Sequence, residues 1–235
     1  MSSRHYSFEE HPEHETSISM PSHGITSIDS NVKRLVGLQC LNLRSNRLRI
    51  LPIEIGELWN LQELDLSWNK LRQLPADIKR LKSLQRLYIS FNKLRVLPCE
   101  IVELWNLQEL YASYNRLESL PAEIGNLKNL TKLYLRSNVL RSLPDGIGEL
   151  ISIQGLDLSW NKLRSLSAEI GKLKSLQELY ASYNRLESLP VEIGNLKNLT
   201  KLFLRSNVLR SLPDEIETLN KLQQLILSDN KLDAL

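Results

Sequence analysis

Long apolar runs are missing from this sequence, and cysteine is scarce. The first 20 residues hold no apolar stretch of the kind that a secretory signal needs, and no segment approaches the length of about 18 apolar residues that spans a membrane. The 2 cysteines, Cys40 and Cys99, form no cluster of the kind that closes secreted, disulfide-capped proteins. These absences predict a cytoplasmic protein without a membrane span.

A strong charge of one sign is also missing. The 30 lysines and arginines nearly balance the 27 aspartates and glutamates, which leaves a formal net charge of +3. Residues 1–22 carry one basic residue and four glutamates, so the positive excess lies in the remainder of the chain. This excess is too mild and too interspersed with acids for a nucleic-acid patch, so a nucleic-acid partner is disfavoured.

Clusters of chemically reactive side chains are scarce as well. All 4 histidines lie within the first 23 residues, and the spacing of His11 and His14 matches no common zinc pattern. The acid of which Glu123 is one copy recurs as a solvated surface column, and the glycines occur singly, without a phosphate-binding loop. No serine, cysteine or histidine constellation supports a nucleophile. We therefore predict a protein that is not an enzyme, with no catalytic residue, no cofactor, no metal and no small-molecule substrate.

A repeat of 23 residues dominates the chain. Each copy fits the frame L-x-x-L-x-L-x-x-N-x-L, as in residues 61–71, and continues as x-x-L-P-x-E-I-G-x-L, as in residues 49–58. The asparagines of the nine frames are Asn46, Asn69, Asn92, Asn115, Asn138, Asn161, Asn184, Asn207 and Asn230. Nine copies in register predict a repeat architecture.

The frame has a simple physical interpretation. Leu64, Asp65 and Leu66 alternate with period two, which predicts a short strand with its leucines inward and the aspartate outward. One such strand cannot bury its apolar side alone, so we expect the copies to stack into a parallel sheet. Pro75 and Asp77 suit the first turn of a short helical segment on the return path. We interpret the asparagine as structural, because its amide offers two donors and an acceptor to the backbone of the turn.

The predicted fold is an α/β solenoid, a curved horseshoe with a concave parallel β-sheet and short helical or 3-10 segments on the convex side. We predict a polar, disordered tail over residues 1–22. Residues 23–37 form a degenerate capping half-repeat, in which Asp29 replaces the proline. Residues 38–235 form an array of nine units, of which the last is incomplete.

Two segments of the array are nearly identical. Residues 107–145 and 176–214 differ only at Ala122/Val191 and at Tyr134/Phe203. The array therefore grew by duplication of a block of three repeats, and we expect a surface feature of one copy to recur in the other.

The unit L-P-x-E-I-G-x-L-x-x-L-x-x-L-x-L-x-x-N-x-L, over residues 23–235, resembles the repeats of intracellular Ras-group-related leucine-rich-repeat proteins. That group includes plant proteins, the animal scaffold that joins Ras to a phosphatase, and the repeat region of fungal adenylyl cyclase. The resemblance implies a horseshoe that scaffolds signalling complexes, with a small GTPase or a phosphatase as partner. The same unit also occurs in bacterial proteins, including host-directed effectors, and its matching residues are the buried ones.

Function must be sought at the variable positions that face outward. Aromatic residues concentrate in two columns, one at the middle outward position of each strand and one just before each asparagine, while Arg136 and Arg205 add charge between them. A basic column follows the asparagines. Tyrosine, tryptophan and arginine anchor protein interfaces, whereas aromatic rings also suit strands and pack on one another. The predicted partner-binding residues are Trp68, Tyr88, Phe91, Tyr111, Tyr114, Tyr134, Arg136, Trp160, Tyr180, Tyr183, Phe203 and Arg205.

Together these patterns predict a non-catalytic scaffold that presents a concave aromatic and basic surface to a protein partner. One alternative is the recognition domain of a larger receptor or enzyme, and another is a bacterial host-directed effector. The repeat stops mid-unit at Leu235 without a polar cap, which favours the recognition-domain alternative.

Overall fold

The computed structural model describes residues 4–233 as a solenoid in which each 23-residue unit forms one coil. A coil consists of a three-residue strand, a tight turn and a short 3-10 segment. The strands are β1 His5–Tyr6, β2 Ser17–Ser19, β3 Ser27–Ile28, β4 Cys40–Asn42, β5 Glu63–Asp65, β6 Arg86–Tyr88, β7 Glu109–Tyr111, β8 Lys132–Tyr134, β9 Gly155–Asp157, β10 Glu178–Tyr180, β11 Lys201–Phe203 and β12 Gln224–Ile226.

Ten of these strands form one parallel sheet, in the order β2, then β4 through β12. Neighbouring strands pair without a register shift, so that Leu64 lies beside Leu87 and Leu87 beside Leu110. All three leucines are fully buried, because each stacks on its equivalents in the adjacent coils. The predicted leucine-rich-repeat solenoid with a parallel sheet is confirmed.

The opposite side of each coil is a 3-10 segment. The segments are Ser30–Arg34, Ile53–Glu57, Ala76–Arg80, Cys99–Glu103, Ile124–Asn126, Asp145–Glu149, Ala168–Lys172, Val191–Asn195 and Asp214–Thr218. Pro75 precedes one of them in extended conformation, Asp77 lies in its first turn, and Ile78 turns into the core. Strands at about 4.8 Å spacing pack more closely than the bulkier return segments, so the sheet takes the concave side.

The asparagines form the predicted ladder inside the turn. The Asn138 amide donates to the carbonyl oxygens of Leu135 and Ala112 at 2.9 and 3.0 Å, and its Oδ1 accepts from the N–H of Leu117 at 2.9 Å. Ala112 and Leu117 belong to the preceding coil, so each asparagine joins two coils. The structural interpretation of this residue is therefore confirmed.

The N-terminal segment differs from its prediction. A disordered tail was expected over residues 1–22, but residues 4–22 are ordered and cover the first coil; residues 1–3 lie outside the described part. Strand β2 pairs with β4, with Ile18 beside Leu41, so the degenerate unit is a whole coil that begins upstream of residue 23. Phe8 is fully buried against this coil and packs edge-on against Tyr6 at 5.1 Å. The few apolar residues of this segment, such as Phe8 and Ile18, are buried, and their burial orders the segment despite its polar composition.

Asp29 holds this cap in place. Its carboxylate accepts hydrogen bonds from the Ser7 hydroxyl at 2.6 Å, the Phe8 N–H at 3.2 Å and the Asn31 amide at 2.8 Å. Burial raises the pKa of Asp29, but these hydrogen bonds outweigh it and hold the pKa below its ordinary value. The aspartate thus replaces the proline of other units because it binds the N-terminal segment.

At the opposite end, the inward leucine of the last described strand is open to solvent. Leu225 is 37% exposed, whereas its equivalent Leu202 is fully buried by the coil that follows it.

None of the helical segments in residues 4–233 has the length and apolarity needed to cross a membrane.

Candidate functional site

The first aromatic column runs along the solvent-facing side of the sheet, one ring per strand. We call Tyr88, Tyr111, Tyr134, Tyr180 and Phe203 the strand column. Tyr88 and Tyr111 stack with their ring centroids 4.8 Å apart, and Tyr134 meets Tyr111 edge-on at 5.2 Å. Tyr180 and Phe203 repeat this edge-on contact at 5.1 Å, as the duplication predicts. All five side chains are half-buried, so their rings are held by neighbours and still reach solvent.

The second column lies at the position just before each asparagine. Trp68, Phe91 and Tyr114 form a continuous stack with centroid distances of 3.8 and 4.2 Å, and Trp160 stacks on Tyr183 at 4.1 Å. We call these five residues the turn column. Solvent reaches 47% of Trp68, 41% of Tyr114 and 46% of Trp160, which makes these rings the most accessible aromatic surface of the sheet side.

Every residue of the turn column has a left-handed backbone, with φ between 55° and 59°. A residue other than glycine pays roughly 1–3 kcal/mol for this conformation. It is enforced by the coil contacts, since the N–H of Trp68 donates to the carbonyl of Ser90 in the next coil at 2.9 Å. Sequence reasoning located this column but missed its conformation, because no glycine marks the position.

Charged side chains flank the strand column, and they neutralise each other across neighbouring strands. Glu63 pairs with Arg86 at 2.8 Å and Glu109 pairs with Lys132 at 2.9 Å. In the duplicated block, Glu178 pairs with Lys201 at 2.7 Å. The parallel register places these residues side by side, so an acid and a base at the same repeat position become partners. The sequence analysis did not predict these ion pairs, although the charge at this repeat position alternates in sign from one unit to the next over residues 63–132.

Two of these glutamates also bind tyrosine hydroxyls. The hydroxyl of Tyr111 donates to Glu109 at 2.9 Å, and that of Tyr180 donates to Glu178 at 2.9 Å. Burial, together with the Glu109 carboxylate, raises the pKa of Tyr111 to about 12. The hydrogen bond from Lys201 is the main reason why the pKa of Glu178 lies below its ordinary value. Both rings are thereby fixed in orientation.

The two predicted arginines have different surroundings. The guanidinium of Arg136 lies 6.0 Å from the centroid of the Trp160 ring, in reach of a cation–π contact. Arg205 is exposed and pairs with Asp229 at 2.8 Å. Arg136 therefore belongs to the aromatic surface, whereas Arg205 lies beside it and is already engaged by an acid.

A shallow depression interrupts the sheet side at Gly155. The remaining strands from β5 to β11 each have a charged residue at the position of Gly155. At Gly155 the side chain is absent and the ring of Tyr134 leans over the backbone, so that a β-carbon added there would lie 3.3 Å from this ring. The depression has a volume of about 180 Å³ and lies between Lys132 and Glu178. Sequence reasoning did not single out Gly155, because its role depends on the ring of the preceding coil.

The histidine motif at the N-terminus belongs to the cap. His11 bonds to the hydroxyl of Tyr6 at 2.6 Å and to the carboxylate of Glu15 at 2.7 Å, and His14 is exposed. Among residues 4–233, no three histidine, cysteine or acidic side chains lie together in a way that could hold a metal ion.

The structure brings ten of the twelve predicted partner-binding residues into two adjacent columns, with Arg136 against the turn column and Arg205 at its margin.

Comparison with protein families identifies the repeat. A family model described as leucine rich repeat matches residues 60–117, 128–186 and 174–232, and a model of leucine-rich repeats in two copies matches residues 105–147. A further leucine-rich-repeat model matches residues 37–58. A search of curated proteins gives no significant match.

Solved structures of the same kind are similar over almost the whole chain. A leucine-rich-repeat protein of Leptospira interrogans is 36% identical with a TM-score of 0.65, and the match covers 93% of this chain and 67% of that one. The leucine-rich-repeat ectodomain of an Arabidopsis thaliana membrane receptor kinase, in complex with Casparian strip integrity factor 2, is 28% identical with a TM-score of 0.76. A chain of the Toll–Spätzle complex of Drosophila is also 28% identical to this chain, with a TM-score of 0.82. The last two matches each cover 92% of this chain and 30% of the matched chain. With family models matching most of its length, the chain belongs to the leucine-rich repeat family.

Proposed function

We propose that the concave sheet side is a protein-binding face and that the rings of the strand and turn columns are its anchors. The observation that carries this proposal is the placement of the aromatic residues. Ten of the chain's aromatic residues lie in these two columns, and the remaining four are Tyr6, Phe8, Trp59 and Trp105. Large rings with one exposed edge are the side chains that carry most of the energy at protein interfaces.

The rings are held in place before any partner arrives. Stacking fixes Trp68 on Phe91 and Phe91 on Tyr114, and the carboxylate of Glu109 fixes the hydroxyl of Tyr111. A partner that binds here therefore orders few additional side chains, which reduces the entropic cost of association.

The charge pattern favours an uncharged contact at the centre of the face. The ion pairs of Glu109 with Lys132 and of Glu178 with Lys201 leave little net charge beside the strand column. A partner is therefore recognised here by apolar and hydrogen-bonding groups, with electrostatic selection at the margins. The similar structures from Arabidopsis and Drosophila are complexes with Casparian strip integrity factor 2 and with Spätzle, and they support protein recognition by this fold.

The test removes two central rings. Partners are first captured by a photo-crosslinking amino acid in place of Tyr114 and identified by mass spectrometry. The affinity of the identified partner is then measured for the wild type and for Tyr111→Ala with Tyr134→Ala. We expect binding to weaken by about 2–4 kcal/mol, roughly 30- to 1,000-fold, with an unchanged circular dichroism spectrum.

The chain supplies two matched comparisons. Glu123→Ala with Lys128→Ala, on the convex side, should leave the affinity within about two-fold, as surface changes away from an interface do. Tyr180→Ala with Phe203→Ala removes the equivalent rings of the duplicated block and shows which copy carries the partner. A loss of binding in the convex pair but in neither ring pair would refute the proposal.

A narrower form of this proposal makes the protein a cytoplasmic scaffold in intracellular signalling, with a small GTPase or a phosphatase as partner. It is supported by the resemblance of the repeat unit to the Ras-group-related proteins and by the free thiols of Cys40 and Cys99. The similar receptor-kinase ectodomain of Arabidopsis supports the alternative of a receptor recognition domain, and the similar Leptospira protein supports that of a bacterial effector. The identity of the crosslinked partner separates these three outcomes.

A further inference from the structure

A second surface lies along the edge of the solenoid where the chain leaves the strands. Basic residues occupy the first and third positions after the asparagine in the first three units and the first position in the fourth. We call this set the basic edge: Arg47, Arg49, Lys70, Arg72, Lys93, Arg95 and Arg116. All seven side chains are exposed. Seven cations therefore face solvent from four adjacent coils.

The charges of this edge are arranged differently from those of the sheet side. On the sheet side the charges form cross-strand ion pairs, whereas for the six members other than Arg47 no carboxylate of residues 4–233 comes within ion-pair distance. Two depressions of about 430 and 570 Å³ lie between the side chains, and Arg72 and Lys93 line both of them. Like charges in neighbouring coils repel one another, and an anion bound between them would relieve this repulsion.

The cluster has defined borders. At the third position, Glu118 ends the run of arginines in the fourth unit, and at the first position Val139 follows Arg116 in the fifth. Along each coil, a carboxylate of the 3-10 segment, such as Asp77, follows the basic residues. The site is therefore a short strip of positive charge bounded by acids and apolar residues.

We propose that the basic edge binds an extended acidic segment of a protein. The neighbouring rings argue against single-stranded nucleic acid, because Trp68, Phe91 and Tyr114 already stack face to face at 3.8 and 4.2 Å and leave no gap for a base. A long polyanion would also meet the flanking carboxylates, whereas an acidic segment of a few residues fits within the strip. The basic edge adjoins the turn column of the concave face, and the proposal does not depend on partner binding through the aromatic rings.

The test measures the fluorescence anisotropy of a labelled glutamate peptide of about five residues, which is short enough to lie within the strip. We expect the full-length protein to bind it, and binding to weaken as ionic strength rises from about 0.1 M to about 1 M, which shortens the Debye length from about 10 Å to about 3 Å. Arg72→Glu with Arg95→Glu should weaken binding at low salt by at least about ten-fold, because charge repulsion replaces attraction at the centre of the strip.

The matched control is Arg141→Glu with Arg210→Glu. These arginines occupy the same repeat position beside Val139 and Val208, and the pair changes the net charge equally. We expect less than about a two-fold effect. Equal losses in both variants would show that only net charge matters, and no binding by the wild type would also overturn the proposal. Tighter binding of a thymidine oligonucleotide of equal charge, or of phosphatidylserine vesicles, would overturn it as well.

Peptide binding that survives Tyr111→Ala with Tyr134→Ala would support a site separate from the strand column, whereas its loss would place the peptide on the concave face.

Discussion

Replacement of Asn138 by leucine tests the ladder that joins the coils. In the wild type this side chain makes three hydrogen bonds, one accepted from the Leu117 N–H and two donated to the carbonyl oxygens of Ala112 and Leu135. It is 6% exposed, so water cannot easily replace these partners. Leucine has the same number of side-chain heavy atoms with the same branching at Cγ, so the change replaces the polar amide by two methyl groups.

The three lost bonds do not contribute equally. The Ala112 oxygen also accepts from the Asn115 amide at 3.1 Å, and the Leu135 oxygen also accepts from the Asn161 amide at 3.0 Å. The N–H of Leu117 is the group that loses its acceptor. One unsatisfied buried donor costs about 1–3 kcal/mol, so Asn138→Leu should lower the free energy of unfolding by that amount.

The measurement is urea denaturation followed by circular dichroism, combined with hydrogen exchange at the Leu117 amide. We expect a lower denaturation midpoint and faster exchange at Leu117, because the opening is local to two coils. Asn126→Leu, at an exposed position of the 3-10 segment, is the control and should change stability by less than about 0.5 kcal/mol. An unchanged midpoint together with a protected Leu117 amide would refute the structural role of the ladder.

Three further perturbations follow from the described contacts. Phe8→Ala should destabilise the first coil by about 3–5 kcal/mol, visible as an early transition in urea, since this fully buried ring covers the end of the core. Gly146→Ala should lower the melting temperature, because a β-carbon would clash with the backbone oxygen of Ala122, and relief of such overpacking costs about 1–3 kcal/mol. The pKa of Tyr111 lies above that of an unfolded tyrosine, so its neutral form stabilises the fold below about pH 10 and this contribution is lost as the pH rises towards 12. Glu109→Gln should lower the pKa of Tyr111, and a tyrosinate absorbance titration that is unchanged would contradict the assigned hydrogen bond.

The sequence by itself determined the coil. Leucines at invariant spacing can be buried only if equivalent residues stack, and an asparagine in each turn satisfies backbone groups that every coil leaves open. The inward position of Leu64 and the outward position of Tyr111 follow from period-two alternation alone. These features were predictable because each depends on contacts between equivalent residues of identical units.

Contacts between residues that are not equivalent were decided only in the tertiary structure. Asp29 binds the backbone of Phe8 from 21 positions away, which orders a segment whose composition predicted disorder. The left-handed backbone of Trp68 results from the hydrogen bond to the next coil, and the ring of Tyr134 leans over Gly155, where no side chain occupies the space. Such details arise where one coil departs from its neighbours, and a repeat pattern describes only what the coils have in common.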